Sequence, residues 1–288
     1  MNSIGRLCST SVKELEKLDI FEQFFDKDNR EISWKDKKVT RSKFIRIGIR
    51  KAIISNCKFC QCIGVDVYAR NAVFEKVDFT GSIFIGCDFS YAKFDNCIFD
   101  YCKFYNCFLP EKEIEKCLPT AKWNLRKELA NNLKVNFNSI GRKDLADYFL
   151  EIEIRAKLRE KWNIVWSTNE HYQKYHCLAR LKKLGEYMFG KILFYITGYG
   201  IKCKYVLLSY FVVLFLLAVI FWLCCKSDFW GIWLEGFAQS LGVSFSSSIE
   251  IPLGGYSFGG KWFILLYRSV GVIYLAILTA TLYRKIAK

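Results

Sequence analysis

Histidine is almost missing from this sequence: His171 and His176 are the two present in 288 residues. They are too few and wrongly spaced to serve a catalytic centre. No nucleophile–base constellation, phosphate-binding loop or zinc motif can be read elsewhere in the chain. The expectation is a protein that is not an enzyme and that holds no cofactor and no metal. No secretory leader is expected either, because the opening MNSIGRLCSTSVKE has no apolar stretch. A hydrophobic segment inside the chain would have to act as its own insertion signal. Acid is scarce relative to base: 43 Lys and Arg against 28 Asp and Glu give a net charge of +15. Such an excess can serve nucleic acid. No recognised nucleic-acid motif accompanies it, and its place beside apolar segments fits attraction to anionic lipid. No nucleic-acid partner is expected.

What the chain does have is long apolar runs near its C-terminus. Tyr205 to Cys225 carries no charge, and as a helix it would measure roughly 31 Å, enough to cross a hydrocarbon core. Trp262 to Tyr283 is a second candidate span, interrupted by Arg268. Between them, Phe229 to Val243 is apolar but short, roughly 22 Å as a helix. It reads as a re-entrant or interfacial segment. A polar, glycine-rich run, Ser244 to Gly260, follows it. Span, dipping helix, irregular stretch and span is the layout of a pore-loop subunit. Irregular backbone at membrane depth survives only where protein or water satisfies its polar groups. Lys202, Lys204, Arg284, Lys285 and Lys288 lie on the outer flanks of the two spans. The positive-inside rule therefore puts both termini in the cytoplasm. The 13 cysteines, with a large cytoplasmic share, are then free thiols rather than a disulfide framework.

Upstream, Ser11 and Glu14 form a capping box. Leu15, Leu18, Phe21 and Phe25 recur at helical spacing, which predicts a short amphipathic helix. A charged linker, residues 26–38, follows. From about Ser42 to Leu109 a five-residue period takes over. Its central positions read Phe44, Ile49, Ile54, Phe59, Gly64, Ala69, then phenylalanine at every fifth residue from Phe74 to Phe104, and Leu109. Two residues ahead of each centre sits a small or aliphatic residue, for example Ala52, Cys57, Ser82, Cys87 and Cys97. Neither a helical nor a strand period produces this pattern, and a short fixed period means stacked coils. The cysteines of Cys57-x-x-Cys60-x-Cys62 could bind metal. Cys57 and Cys62 fall on the small-residue phase, however, where a thiol acts as a small apolar group. Beyond Pro110, helical patterns are expected in a short segment ended by Pro119, then at Trp123–Phe137, Arg142–Trp162, and around Leu178 to Ile192.

The repeats, for instance Cys87-Asp88-Phe89-Ser90-Tyr91 followed by Ala92-Lys93-Phe94-Asp95-Asn96, resemble the pentapeptide-repeat family. That resemblance implies a right-handed, four-sided β-helix with the phenylalanine column inside. It also implies an irregular corner near Ile63–Arg70, where Gly64 and Ala69 depart from the pattern. The run Asn132 to Phe137, Gly141, Asp144 to Phe149, and Gly198-Tyr199-Gly200 look like the linker of membrane-bound pentapeptide proteins with two spans. In those relatives the C-terminal part resembles the two-span potassium-channel pore module. The implied fold class is mixed: β-helix at 42–109, a cytoplasmic helical linker at 110–203, and an α-helical membrane domain at 204–288 with two transmembrane helices and a re-entrant pore helix. Residues 1–41 would form an N-terminal helix and linker.

A potassium filter needs glycines that turn carbonyls inward. Here Ser246, Ser247, Ser248 and Glu250 stand where the filter belongs, so potassium selectivity is not expected. These residues either line a wide, wet constriction or form an extracellular connector. Arg268, six residues inside the second span, either pairs with Glu250 or Glu235, faces the axis, or snorkels outward. Gly271 is a hinge or a close-packing site. The reading is a multi-pass inner-membrane protein, a homotetrameric ion-channel-like pore partnered by lipid bilayer and ions. Its cytoplasmic repeat domain would sense, or dock a protein partner. The alternatives are a membrane-anchored scaffold and a membrane-depolarising defence effector. A DNA-mimic role, known for some pentapeptide proteins, needs an acidic face. Seven basic and three acidic residues lie beyond position 203, leaving 36 and 25, or +11, for the rest.

Overall fold

The computed structural model describes residues 14–16, 19–21, 33–120, 122–166, 176–198, 203–225, 237, 239–240 and 258–286. The chain divides into two compact units, Met1–His176 and Cys177–Lys288.

The first unit is a parallel β-solenoid of about four turns closed by helices. Its strands are three residues long: β1 (Glu14–Glu16), β2 (Asp19–Phe21), β3 (Ser33–Lys35), β4 (Lys38–Thr40), β5 (Lys43–Ile45), β6 (Ile53–Ser55), β7 (Lys58–Cys60), β8 (Ile63–Val65), β9 (Val73–Glu75), β10 (Ile83–Ile85), β11 (Lys93–Asp95) and β12 (Lys103–Tyr105). They stack into three parallel sheets, β1-β4-β7, β2-β5-β8-β10-β12 and β3-β6-β9-β11. A fourth face is made of single parallel bridges such as Gly48 to Tyr68 and Tyr68 to Asp88. The middle residue of each five points inward and stacks on its equivalent one turn away. Phe74 lies 5.1 Å from Phe94, Phe79 lies 5.2 Å from Phe99, and Phe84 lies 5.3 Å from Phe104, all with nearly parallel rings. Each such ring removed from water is worth roughly 1.5–3 kcal/mol. The corners are held in the left-handed region, for example Asn56 (φ 51°), Asn71 (φ 58°) and Asn96 (φ 52°). That conformation is costly without glycine, and the corner N–H is aimed at the next turn in compensation. Asn56 donates to the Glu75 carbonyl at 2.8 Å, and Asn71 to that of Ser90 at 3.1 Å.

Two expectations are corrected here. Glu14–Glu16 and Asp19–Phe21 are strands, not an amphipathic helix, and pair with β4 and β5. Leu15 pairs with Val39 and Ile20 with Phe44 along the ladders, so each stands in register with a central position of the solenoid. Secondly, the corner at Ile63–Arg70 is regular. β8 pairs in register with both β5 and β10. The missing side chain at Gly64 interrupts the ring stack instead of bending the backbone. An apolar cavity of about 50 Å³ lies in the same stretch of the interior, lined in part by Phe44, Phe59, Gly64 and Phe84.

The last turn is closed by α1 (Glu111–Lys116), α2 (Trp123–Ser139) and α3 (Lys143–Trp166). Ile114 on α1 is fully buried, one turn after Phe94. The exposed strand edge at the end of a solenoid offers unpaired backbone groups, and α2 answers them with two asparagines. Asn132 Oδ1 accepts from the Phe104 N–H at 2.7 Å, and its Nδ2 donates to the Phe104 carbonyl at 3.3 Å. Asn136 does the same for Cys107, at 2.7 and 2.8 Å. Spaced four apart, the two side-chain amides stand in for the backbone of a further strand. Phe137 stacks on Phe149 at 5.2 Å, and Lys134 pairs with Glu153 at 2.7 Å, which fastens α2 to α3. Asn136 is 1% exposed, so Asn136→Leu would leave the N–H and carbonyl of Cys107 buried and unpaired. The expected loss is about 2–4 kcal/mol, read as a lower melting temperature of the β signal in circular dichroism. Asn138→Leu, at an exposed position of the same helix, should change stability by no more than about 0.5 kcal/mol.

The second unit contains α4 (Cys177–Thr197), α5 (Cys203–Cys225) and α6 (Phe258–Ile286). Gly198 (φ 53°) ends α4 in the left-handed conformation. The Ser209 hydroxyl donates to the Ile196 carbonyl at 2.8 Å, tying α5 to the end of α4. Among the described residues, Leu265–Tyr283 within α6 is long and apolar enough to cross a membrane by length and composition. Lys204–Ile220 within α5 is a shorter apolar stretch by the same measure.

Candidate functional site

The residues singled out in the sequence fall into two groups. Ser246, Ser247, Ser248 and Glu250 lie outside the described residues, as does Glu235. Arg268 and Gly271 lie on α6, on the side where α5, α6 and the short connecting segment meet.

Three residues of that segment, Phe237, Gln239 and Ser240, are described, and all three are helical. Phe237 stacks on Phe211 of α5 with centroids 5.9 Å apart, and lies 6.5 Å from Tyr210. Ser240 is fully buried. Its hydroxyl lies 2.6 Å from that of Tyr210 and 2.7 Å from the Phe237 carbonyl. A serine has one proton to give, so donation to Phe237 makes Tyr210 the donor to Ser240. On α6, a methyl group added at Gly271 would overlap the Ser240 carbonyl and approach its Cα to 3.0 Å. Gly271 is therefore the point where backbone meets backbone. Tyr267 is fully buried and donates to the Leu214 carbonyl at 3.2 Å, binding α6 to α5 directly.

Depth along the helices follows from the rise per residue. Tyr210 is fifteen residues before the end of α5, and Gly271 thirteen after the start of α6. At 1.5 Å per residue, Ser240 sits roughly 20 Å from the ends that the connector joins. The described residues of the connector, Phe237, Gln239 and Ser240, thus sit beside the helices and away from those ends.

This contact brings polar groups into an otherwise apolar pair. Arg268 Nη2 lies 3.5 Å from Gln239 Oε1, at the limit of a hydrogen bond. Arg268 Nε and the Tyr274 hydroxyl are buried and make no hydrogen bond among the described residues. The Tyr274 ring lies 5.4 Å from Tyr210. Gln239, Ser240 and Tyr210 went unnoticed in the sequence. Their signal was present as hydrogen-bonding side chains within apolar runs, but nothing local says which of them meet.

The cysteines of the solenoid point to packing. Cys57 and Cys62 are buried in the column two residues ahead of the centres, whereas Cys60 is half-buried. The column thiols donate to the carbonyl of the turn beneath. Cys102 reaches Phe79 at 2.8 Å, Cys107 reaches Phe84 at 3.3 Å, and Cys97 reaches Phe74 at 3.4 Å. Ser82 in the same column donates to Phe59 at 2.6 Å and accepts from the Cys62 N–H at 2.9 Å. Burial pushes the Cys62 thiol up to about 11, and Cys97 and Cys102 up to about 12. Protonated thiols are poor ligands and poor nucleophiles. No group of three or more metal-ligating side chains occurs among the described residues.

Comparison with known proteins agrees with this fold. Residues 65–109 match the family model for pentapeptide repeats, in eight copies. No curated protein sequence matches the chain. Among solved structures, a trypsin-treated variant of QnrB1, a plasmid-mediated fluoroquinolone resistance protein, is 17% identical with a TM-score of 0.26. That alignment covers 34% of this chain and 54% of the QnrB1 chain. The pentapeptide repeat protein Rfr23 from the cyanobacterium Cyanothece 51142 is 14% identical with a TM-score of 0.25, over 33% of this chain and 76% of that one. The solenoid of this protein is built from pentapeptide repeats.

Proposed function

We propose that the protein is a subunit of an oligomeric, ion-channel-like membrane pore without a potassium filter, carrying a cytoplasmic pentapeptide-repeat domain that senses or docks. One observation carries this reading: Ser240 is seated against Gly271 and Tyr210, roughly 20 Å along both apolar helices. A buried polar turn at that depth has a use where chains surround a water path. The helices α5 and α6 would be the two spans, with both termini cytoplasmic, and a homotetramer would place four copies of the segment around the axis. Ser246 to Ser248 and Glu250 would then line the constriction, and a ring of Glu250 carboxylates would favour cations. Arg268, held near Gln239, would fix the segment's position. The outward face of the five-stranded sheet, with Ile63, Val65, Ile83 and Ile85 exposed or half-buried, supports a docking role for the repeats.

Purified protein in planar bilayers should give discrete currents whose reversal potential in a salt gradient favours cations, and Glu250→Gln should reduce that preference. Silence at every voltage and pH would sink the pore reading. Crosslinking that stops at dimers would leave a membrane-anchored scaffold.

A further inference from the structure

Helix α4 carries an apolar stripe that nothing among the described residues covers. Leu178, Leu181, Met188, Phe189, Ile192 and Tyr195 are all exposed, Leu178 by 84%. At 100° per residue these positions fall on one arc of about 120°. The opposite side packs near α5, where the Phe194 ring lies 5.6 Å from Tyr205. Charge frames the stripe. Lys182 lies along one edge, and Arg180 and Lys191 along the other. Lys183 pairs with Glu186, the one acid on the helix, at 3.0 Å. With four basic residues and one acidic residue, α4 is net +3.

A second copy of the chain is a poor occupant. The edge positions that set pairing in helix dimers hold Lys182 and Lys191 and no acid, so two copies would bring lysines together. A lipid surface suits both features. Apolar side chains can enter the boundary between headgroups and acyl chains while lysines on the flanks reach anionic headgroups. Continuity favours it too, because the apolar α5 begins five residues after α4 ends at Gly198.

We propose that α4 is an in-plane helix whose Leu178–Tyr195 stripe lies in the headgroup boundary of an anionic leaflet. This rests on the reading that α5 and α6 sit in a bilayer. The test is spin labelling of the full chain in nanodiscs of phosphatidylcholine, alone or mixed with phosphatidylglycerol. Cys177, the exposed thiol at the start of the helix, is first replaced by serine. Labels at Leu181→Cys, Met188→Cys and Ile192→Cys should favour collision with oxygen over a nickel chelate by about threefold or more relative to Lys183→Cys and Glu186→Cys. The contrast should grow with phosphatidylglycerol and lose that dependence in the Lys182→Glu/Lys191→Glu variant. Free nickel access along the stripe, with oxygen still favoured at Leu266→Cys and Ile273→Cys on α6, overturns the in-plane helix and leaves the membrane reading standing. Nickel access at the α6 positions as well overturns both. Spin–spin broadening along the stripe that disappears on dilution with unlabelled chain means a second copy covers it, and also overturns the proposal.

Discussion

Gly271→Leu is expected to dislodge the segment between the two apolar helices and to abolish any current. The neighbour at Gly271 is the Ser240 carbonyl and its Cα, and backbone yields less than the end of a flexible side chain. Overpacking of a fitted contact costs about 1–3 kcal/mol. Against it stand a tyrosine–serine hydrogen bond, a stacked ring pair and a long Arg268–Gln239 contact. A loss of that size unseats a single short segment more easily than it unfolds the helices. The seat can be checked without any current. In the Phe211→Cys/Phe237→Cys variant, made where the two rings stack, oxidation should join the pair, and Gly271→Leu should abolish that crosslink. Val272→Leu, at an exposed neighbouring position, should keep both crosslink and current. Wild-type crosslinking and conductance in Gly271→Leu would falsify the idea that the seat depends on a bare backbone. Loss of both in Gly271→Leu would make Gly271 the packing site of the two readings the sequence allowed, with no hinge motion needed to explain a glycine there.

The repeats were legible because the solenoid interior admits one large residue per side, and this shows as a five-residue period wherever the turns are twenty residues long. Trp34 and Val39 are already in phase and buried, yet Lys37 stands two positions ahead of Val39 where a small or aliphatic residue belongs, so the readable pattern begins only at Phe44. One turn earlier the pairing of Leu15 with Val39 spans 24 residues, against 20 for Val39 with Phe59. The four extra residues shift the phase, and Leu15, Leu18, Phe21 and Phe25 then mimic a helix. Asn132 and Asn136 were invisible as caps. An asparagine pair on a helix declares nothing about an edge it meets only after the chain has turned back on the solenoid. The stripe on α4 was readable as a helix face, but spacing alone does not say whether protein, water or lipid covers it. The contact of Ser240 with Gly271 is a matter of tertiary approach, and no local rule encodes it.

Alkali is expected to unfold the solenoid steeply once the pH rises past about 8.5. In the unfolded chain a cysteine titrates near 8.5, whereas burial pushes Cys62 up to about 11 and Cys97 and Cys102 up to about 12. Between those values the folded chain keeps protons that the unfolded chain has released. A rise in pH therefore favours unfolding, and the stability contributed by the protonated thiols is fully present only below about 8.5. Each thiol changes stability by about 1.4 kcal/mol per pH unit in that window. Three together withdraw about 4 kcal/mol per unit, or on the order of 8 kcal/mol over two units, comparable with the whole stability of an ordinary domain. Lysine titration also begins near 10.4, so the informative quantity is a difference between variants. Serine already occupies the same column at Ser42 and Ser82, both fully buried, and the Ser82 hydroxyl makes the carbonyl bond that the thiols make. A Cys62→Ser/Cys97→Ser/Cys102→Ser chain should therefore fold, and its melting temperature should fall much less between neutral pH and about pH 10.5 than that of the natural chain. Parallel decline of the two would mean that the proton on the buried sulfur is not what holds the stacked turns together in alkali.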